Sequence, residues 1–156
     1  MAIETERKFL VKLTKLVLPS EGYKIKQGYI CSGEKPTVRI RIKDKMGYIT
    51  IKGKSGKSGM SRYEWEKEIL LSDAEELMRL CTSGLIEKTR YRIDYYGNVF
   101  EVDVFHGLND GLLVAEIELG SEDQEFEKPA WLGKEVTRDK RYRNSYLANN
   151  PYTEWQ

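Results

Sequence analysis

Apolar and polar residues alternate along most of the chain. Counting this alternation predicts eight strands, near 3–11, 23–31, 36–43, 47–53, 61–70, 87–95, 98–105 and 112–120. Several neighbouring strands are separated only by short polar or glycine-containing segments, such as 43–47 and 96–98, which are typical of antiparallel hairpins. Eight strands joined in this way indicate a closed antiparallel β-barrel.

Helical signals are fewer than strand signals. Ser72 and Glu75 have the spacing of a capping box, and Ser121 and Gln124 repeat that spacing later in the chain. The sequence therefore predicts three helices, over about 72–84, 121–129 and 137–149. The expected fold class is a mainly β member of the α+β class, with the helices packed on the outside of the barrel.

Charged residues recur at every second position of the predicted strands, so those of one strand share a face. The set comprises Glu4, Glu6, Lys8, Arg39, Arg41, Lys52, Arg62, Glu64, Glu66, Lys88, Arg90, Glu101, Asp103, Glu116 and Glu118. On any single strand, a face turned to water with weak cross-strand ion pairs is the simpler interpretation. Recurrence over seven strands instead indicates that the charged face lines the barrel interior, while the apolar face packs against the helices.

Composition and net charge narrow the class of protein. The 156 residues fit one domain spanning 1–156, and 40% hydrophobic residues with 10 Tyr and 3 Trp argue against a disordered chain. A net charge of +1 offers no overall field for nucleic acid or an anionic membrane, and neither partner is expected. Acidic residues stand near the start where a signal peptide needs an apolar core, so we expect a cytoplasmic protein. The oligomeric state stays open, with a homodimer as one option.

The two signs of charge suggest two kinds of ligand. The basic residues suit an extended polyanion such as a phosphate chain, because guanidinium groups bind phosphate oxygens bidentately and ammonium groups add point charges. The glutamates and Asp103 offer the hard oxygen ligands that Mg²⁺ or Mn²⁺ prefers, whereas the sequence has no His and Cys cluster for zinc. Metal-assisted phosphoryl transfer to water needs no nucleophilic triad, and none is evident.

The ordered motifs of the chain resemble those of the CYTH superfamily, also called triphosphate tunnel metalloenzymes. The family signature Glu-x-Glu-x-Lys reads Glu4-Thr-Glu6-Arg-Lys8 here. Later matching elements are Arg39-Ile-Arg41, Thr50-Ile-Lys52-Gly53, Arg62-Tyr-Glu64-Trp-Glu66, Lys88-Thr-Arg90, Glu101-Val-Asp103 and Glu116-Ile-Glu118. The resemblance covers nearly the whole chain.

This resemblance implies a role for each charged group. Metal-binding residues would be Glu4, Glu6, Asp103, Glu116 and Glu118. Residues binding the small-molecule triphosphate would be Lys8, Arg39, Arg41, Lys52, Lys88 and Arg90, with Tyr29 either joining them or packing in the barrel. Catalytic residues would be Lys8, Lys88, Glu64 and Glu66, the two glutamates holding a second metal or activating water.

The resemblance implies hydrolysis of inorganic tripolyphosphate to pyrophosphate and phosphate, and alternatives stay open. Similar family members hydrolyse thiamine or nucleoside triphosphates or are class IV adenylyl cyclases, and a fold does not decide among these activities. A non-catalytic polyphosphate-binding module is the remaining alternative. Basic residues would suffice for such a module, and three Glu-x-Glu strands would repel its ligand unless a metal ion intervened.

Overall fold

The computed structural model describes residues 2–33 and 36–155. These residues form nine strands. The strands are β1 (Ala2–Val11), β2 (Tyr23–Cys31), β3 (Thr37–Lys43), β4 (Met46–Lys52), β5 (Ser61–Ile69), β6 (Ile86–Tyr95), β7 (Asn98–Phe105), β8 (Leu113–Glu118) and β9 (Leu132–Glu135). The first eight match the predicted strands to within a few residues, because the alternation that predicts them also decides which face is buried.

All strand pairs are antiparallel, and the first eight strands close on themselves. The order around the barrel is β5–β4–β3–β2–β6–β7–β8–β1, and β1 pairs with β5 to complete the ring. The closed eight-stranded barrel is therefore confirmed. The short strand β9 was not predicted, and it pairs with the last part of β1, where Val11 lies opposite Leu132.

The apolar outer face of the barrel is covered by one helix and two irregular segments, the first of which lies between β1 and β2 and contributes Leu16 and Leu18. Helix α1 (Leu71–Met78) packs Ala74 and Met78 against Ile40 on β3. The segment between β8 and β9 packs Trp131 against Phe100, with ring centroids 5.3 Å apart. The predicted external cover is present, although most of it is not helical.

The predicted helices need three corrections. Helix α1 begins at Leu71 and ends at Met78, and its N-cap residue Leu70 makes no side-chain cap, so the capping box at Ser72 does not form. Residues 121–129 form no helix; the Gln124 side chain instead accepts a 2.6 Å hydrogen bond from the Gly120 amide and closes a turn. The third predicted helix is reduced to a 3-10 turn (Lys140–Tyr142) and the short α2 (Asn144–Leu147), because the extended backbone of Arg143 separates them.

One end of the barrel interior is filled by apolar side chains, and charged side chains line the rest. Ile86 and Phe105 share the strand faces of Lys88 and Asp103, and they pack with Val114 and with Leu147 from α2 in one buried cluster. The C-terminal segment thus reaches this end of the barrel. Within the described ranges, no helix is both long and apolar enough to cross a membrane.

Candidate active site

Charged side chains of both signs line one cavity of about 330 Å³ inside the barrel, and most residues of each sign lie on neighbouring strands. The acidic wall consists of five glutamates on the adjacent strands β7, β8 and β1: Glu101, Glu116, Glu118, Glu4 and Glu6. The basic wall lies on β6, β3 and β4 and consists of Lys88, Arg90, Arg39, Arg41 and Lys52. Because each wall occupies its own arc of a closed ring, the two face each other across the cavity.

Within the acidic wall, like charges stand directly opposite each other. Glu6 on β1 pairs in register with Glu118 on β8, and Glu101 on β7 pairs with Glu116 on β8. Like charges at directly opposed positions destabilise an antiparallel pair. Glu116, Glu4 and Glu101 form ion pairs with Lys8, Lys52 and Arg90, so the negative charge that a bound cation would offset is mainly that of Glu6 and Glu118.

The Glu118 pKa and the surroundings of Glu4 also indicate that the acidic wall favours a bound cation. Burial, reinforced by the charges of Glu4 and Glu6, raises the pKa of Glu118. Oxygen Oε2 of Glu4 is buried and lies 2.8 Å from Lys52 Nζ, which is its ion-pair partner. A bound metal ion would add a second positive partner for this carboxylate.

The chemistry of these donors fits a hard divalent cation. Within residues 2–33 and 36–155, no three Asp, Glu, His or Cys side chains converge as a ready-made metal cage. Magnesium is commonly held by one or two carboxylates and completes its shell with water and substrate phosphate oxygens. The separate carboxylates of the acidic wall fit an ion shared in this way with a phosphate ligand.

The basic wall is organised around a buried carboxylate. Asp103 is fully buried and accepts hydrogen bonds of 2.7 and 2.9 Å from the Arg90 guanidinium, while Lys88 Nζ lies 2.8 Å away. Burial alone would raise the pKa of Asp103, but the charges of Arg90 and Lys88 outweigh it and lower that pKa. Asp103 is therefore an ionised counter-ion that orients the basic wall.

Positive charge on the basic wall exceeds what this carboxylate neutralises. Burial lowers the pKa of Lys88 to about 7; Asp103 opposes the shift, whereas Arg90 and Arg41 add to it. Burial and the nearby guanidiniums of Arg39 and Arg90 lower the pKa of Arg41 to about 9, so Arg41 stays protonated at neutral pH. Both shifts show that the wall would gain stability from a bound anion.

A hydrogen-bond network ties the C-terminal segment to the basic wall. Arg41 Nε donates to Gln27 Oε1 at 3.0 Å, and Gln27 Nε2 donates to the Tyr29 hydroxyl at 3.0 Å and to Asn144 Oδ1 at 3.3 Å. The same Asn144 oxygen accepts a 2.8 Å hydrogen bond from Lys88 Nζ. Helix α2 thereby fixes the orientation of two cationic groups from one position.

Strand β5 lies between the two walls and carries both signs of charge. Glu66 Oε2 accepts a 2.7 Å hydrogen bond from Thr50 and lies 3.5 Å from an Arg39 nitrogen. Glu64 stands opposite Lys52 on β4, and Arg62 stands opposite Glu4 on β1. Arg39 Nε is buried without an acceptor, which leaves a donor available to an anion in the cavity.

The structure brings together all the predicted site residues but one. Lys8, which lies 3.6 Å from Glu116 and donates to the Tyr142 carbonyl, also lines the cavity, as does Tyr29. The exception is Asp103, which lies behind Lys88 and Arg90 and does not line the cavity. Its expected role as a metal ligand, like the other individual roles, stays a prediction.

Some cavity residues carry no site prediction. Glu101 and Arg62 follow the same alternation as their neighbours, so the signal for them was present in the sequence. Arg143 and Asn144 enter the cavity from the C-terminal segment. Strand alternation does not apply to that segment, so it could not place these two residues in the cavity.

Comparison with known proteins gives consistent matches. The CYTH domain family matches residues 2–147. The chain is 44% identical over 153 residues to an inorganic triphosphatase of Acetivibrio thermocellus, and the match covers 97% of each chain. It is 37% identical over 155 residues to an inorganic triphosphatase of Nitrosomonas europaea, and that match covers 93% of this chain and 96% of the relative. A solved crystal structure of an inorganic triphosphatase superposes with a TM-score of 0.64 at 35% identity, covering 92% of this chain and 96% of that chain.

Proposed function

The chain belongs to the CYTH domain family, and from this premise we propose that it hydrolyses inorganic tripolyphosphate to pyrophosphate and phosphate in the charged interior of its barrel. The observation that carries the proposal is the pair of opposed walls lining one cavity. A polyanion and a cation bound together satisfy both walls, and a metal–triphosphate complex provides both charges. Relatives at 44% and 37% identity are inorganic triphosphatases, which supports this reaction.

In this proposal the basic wall holds and orients the phosphate chain. Arg39 has a buried Nε without an acceptor, and Arg41 donates only to the neutral Gln27 side chain, so both guanidiniums would bind phosphate oxygens. Lys52, Lys88 and Arg90 add positive charge where negative charge must be stabilised during phosphoryl transfer. Tyr29 and Lys8 would complete the contacts at the apolar end of the cavity.

The acidic wall would hold Mg²⁺ or Mn²⁺, with Glu4, Glu6, Glu116 and Glu118 as its nearest donors. The bound cation would neutralise phosphate charge and polarise a phosphoryl oxygen. Glu64 and Glu66 lie between the walls on β5, where a carboxylate can accept a proton from an attacking water molecule. Water then displaces pyrophosphate or phosphate directly, without a covalent intermediate on the chain.

Phosphate release from tripolyphosphate tests the proposal, with ATP and thiamine triphosphate measured in parallel. We expect rapid release from tripolyphosphate with Mg²⁺ or Mn²⁺, little release from the organic triphosphates, and none with chelator. Formation of cyclic AMP from ATP would instead identify a cyclase. Binding of all three compounds without turnover would contradict the enzyme proposal and favour a binding module.

A double substitution separates binding from catalysis. Glu116→Gln with Glu118→Gln should lower turnover of tripolyphosphate by at least about 100-fold, because it removes two of the expected metal donors. The matched control is Glu125→Gln with Glu127→Gln, which removes two exposed glutamates of the same spacing outside the cavity. Full activity in the first variant would show that these carboxylates do not serve the reaction.

A further inference from the structure

Gln27 is a neutral side chain among the charges of the basic wall, and it is fully buried. It lies on β2 directly opposite Arg41 of β3, and Tyr29 occupies the next position on the same inward face. Gln27 does not line the cavity, and no step of the proposed reaction uses it. A buried amide needs partners for its oxygen and its nitrogen, so those partners indicate what it does.

Arg41 fixes the direction of the Gln27 amide. A guanidinium donates hydrogen bonds and cannot accept them, so the amide atom that lies 3.0 Å from Arg41 Nε must be the oxygen Oε1. The nitrogen Nε2 then faces the other way, 3.0 Å from the Tyr29 hydroxyl and 3.3 Å from Asn144 Oδ1. Turning the amide over would place two donors together at Arg41 and two acceptors together at Asn144.

This direction also fixes the role of the Tyr29 hydroxyl. Because Gln27 Nε2 donates, the hydroxyl oxygen is the acceptor of their hydrogen bond, and the hydroxyl proton must point elsewhere. Within the part of the chain that the structure describes, the hydroxyl has no other hydrogen-bond partner. Since Tyr29 lines the active-site cavity, the proton is directed into that cavity.

The ring that carries the hydroxyl is held by apolar packing. Tyr29 is 4% exposed and belongs to the buried cluster that contains Ile86, Phe105 and Leu147. Packing of the ring fixes the position of the hydroxyl oxygen, and rotation about the C–O bond is the freedom that remains. The hydrogen bond from Gln27 removes this last freedom.

A hydroxyl oriented in this way suits a phosphate ligand. Phosphate oxygens accept hydrogen bonds, so a group that contacts them must offer a proton. A hydroxyl that turned its lone pairs to the ligand would repel it. A hydroxyl already directed into the cavity loses no further rotational freedom when the ligand binds, which strengthens binding.

We propose that Gln27 is a positioning residue that holds the Tyr29 hydroxyl as a hydrogen-bond donor to a phosphate oxygen of bound tripolyphosphate. This inference rests on the proposed triphosphatase function. Gln27 acts through Tyr29 and does not touch the ligand itself. Replacing Gln27 should therefore cost more when the hydroxyl is present than when it is absent.

The test is a double-mutant cycle on kcat/KM for tripolyphosphate with Gln27→Glu and Tyr29→Phe. Gln27→Glu keeps the size of the side chain and an acceptor for Arg41, but it replaces the donor Nε2 with an acceptor that draws the hydroxyl proton out of the cavity. We expect a loss of about tenfold for Tyr29→Phe and about 100-fold for Gln27→Glu. The double variant should also lose about 100-fold, because only the effect of the added negative charge remains once the hydroxyl is gone.

Gln27→Met is a second variant, which removes Nε2 without burying a new charge. Its loss of about tenfold should shrink to about threefold in the Tyr29→Phe background, where only the lost acceptor for Arg41 still matters. The coupling should appear in KM, because the hydrogen bond already exists in the bound substrate, whereas a loosened barrel would lower kcat as well.

The control cycle pairs each Gln27 variant with Tyr63→Phe. Tyr63 is an exposed tyrosine on β5 that does not line the cavity, so its losses should add to those of Gln27. Circular dichroism of each variant verifies that the barrel is folded.

Additive losses for Gln27 and Tyr29 would overturn the proposal, since Gln27 would then act on Arg41 or on packing alone. A coupling confined to kcat would also overturn it. If the wild type does not hydrolyse tripolyphosphate, the proposed function fails on its own. The same cycles are then measured as tripolyphosphate affinity by calorimetric titration in chelator: coupling with Tyr29→Phe alone supports the positioning role, and additive losses refute it.

Discussion

Lys88 carries its ammonium group to one of the most buried positions in the barrel, with 2% of its surface exposed. Its folded pKa of about 7 lies below the ordinary lysine value of 10.5. Because the unfolded chain then binds more protons between these two values, the lysine's contribution to stability grows as the pH rises through that window. A bound phosphate would reverse the shift by favouring the charged form.

We therefore predict that tripolyphosphate binding is accompanied by proton uptake. At about pH 8, above the Lys88 pKa of about 7, the free protein should take up as much as about one proton per chain on binding. The measurement is calorimetric titration of metal-free protein in buffers of different ionisation enthalpy. Lys88→Met should lose most of this uptake, and the exposed-site control Lys24→Met should retain it; absence of uptake in the wild type would contradict the prediction.

For Asp103 and Glu101, the sequence predicts which face of the strand they occupy but not how deeply they are buried. Both follow the alternation of β7, and both face inward, as that alternation predicts. Asp103 is nevertheless fully buried against Arg90, whereas Glu101 lines the cavity. Alternation fixes the face of a residue but not its depth along the barrel or the partner it meets, so it does not distinguish the buried Asp103 from the cavity-lining Glu101.

At the scale of elements, helix α1 sits very close to strand β4. A Cβ atom placed on Gly47 would lie 2.6 Å from Cβ of Ala74, and 3.2 Å from the carbonyl oxygens of Ile69 and Leu70. Such a contact is shorter than packed side chains tolerate, and the helix or the strand would have to move. The small residues at positions 47 and 74 allow helix α1 to pack closely against strand β4.

Gly47→Ala should therefore destabilise the fold by about 1–3 kcal/mol, as measured by urea unfolding. Ala74→Gly should offset part of the loss when the two changes are combined, giving a favourable coupling in the double-mutant cycle. Gly53→Ala is the control, because a Cβ there has an ordinary 3.7 Å contact with Tyr63, and its effect should stay within about 0.5 kcal/mol. Equal effects at positions 47 and 53 would contradict the proposed contact.

Strands were predicted well from sequence and helices poorly, for a physical reason. Each barrel strand has one charged and one apolar face, which gives a strong period of two. Strand β9 is only four residues long, Leu132–Glu135, and contains Gly133, so it offers too few alternations to detect. The capping-box spacing at Ser121 indicates that a side chain bonds to the nearby backbone, but it does not require a helix. The Gln124 side chain accepts a hydrogen bond from the Gly120 amide in a turn that no helix follows.

At the scale of the whole molecule, the near-neutral net charge conceals a strong internal separation. The acidic and basic walls each repel themselves, so the ligand-free barrel holds unfavourable charge of both signs. The raised pKa of Glu118 gives this a pH dependence: stability falls as the pH rises from the ordinary glutamate value of 4.5 through the folded pKa. Binding of a metal ion or of tripolyphosphate should therefore stabilise the folded protein.

We predict that Glu6→Gln with Glu118→Gln raises the melting temperature of the metal-free protein at neutral pH. The rise should be about 2 °C, a small value because Glu118 is partly exposed and solvent screens its charge. The gain should vanish in acid, where Glu118 is protonated in both folded and unfolded states. The measurement is thermal denaturation followed by circular dichroism.

The same variant should lose the additional stabilisation that Mg²⁺ or Mn²⁺ gives the wild type, while retaining stabilisation by tripolyphosphate in chelator. Glu125→Gln with Glu127→Gln should behave as the wild type in every condition. A double variant that is less stable without metal would mean that the two opposed carboxylates are not in repulsion.

Strand β1 serves the barrel and the chemistry together. Its first residues pair with β5, its middle with β8 and its end with β9, and it carries Glu4, Glu6 and Lys8. Lys8 lies opposite Glu116, which follows it by more than a hundred positions in the chain. Contacts this distant in sequence form late, because a long segment must be ordered before they can be made. A partly folded chain consequently has no assembled acidic wall, so the capacity to capture a metal ion would arise only as the ring closes.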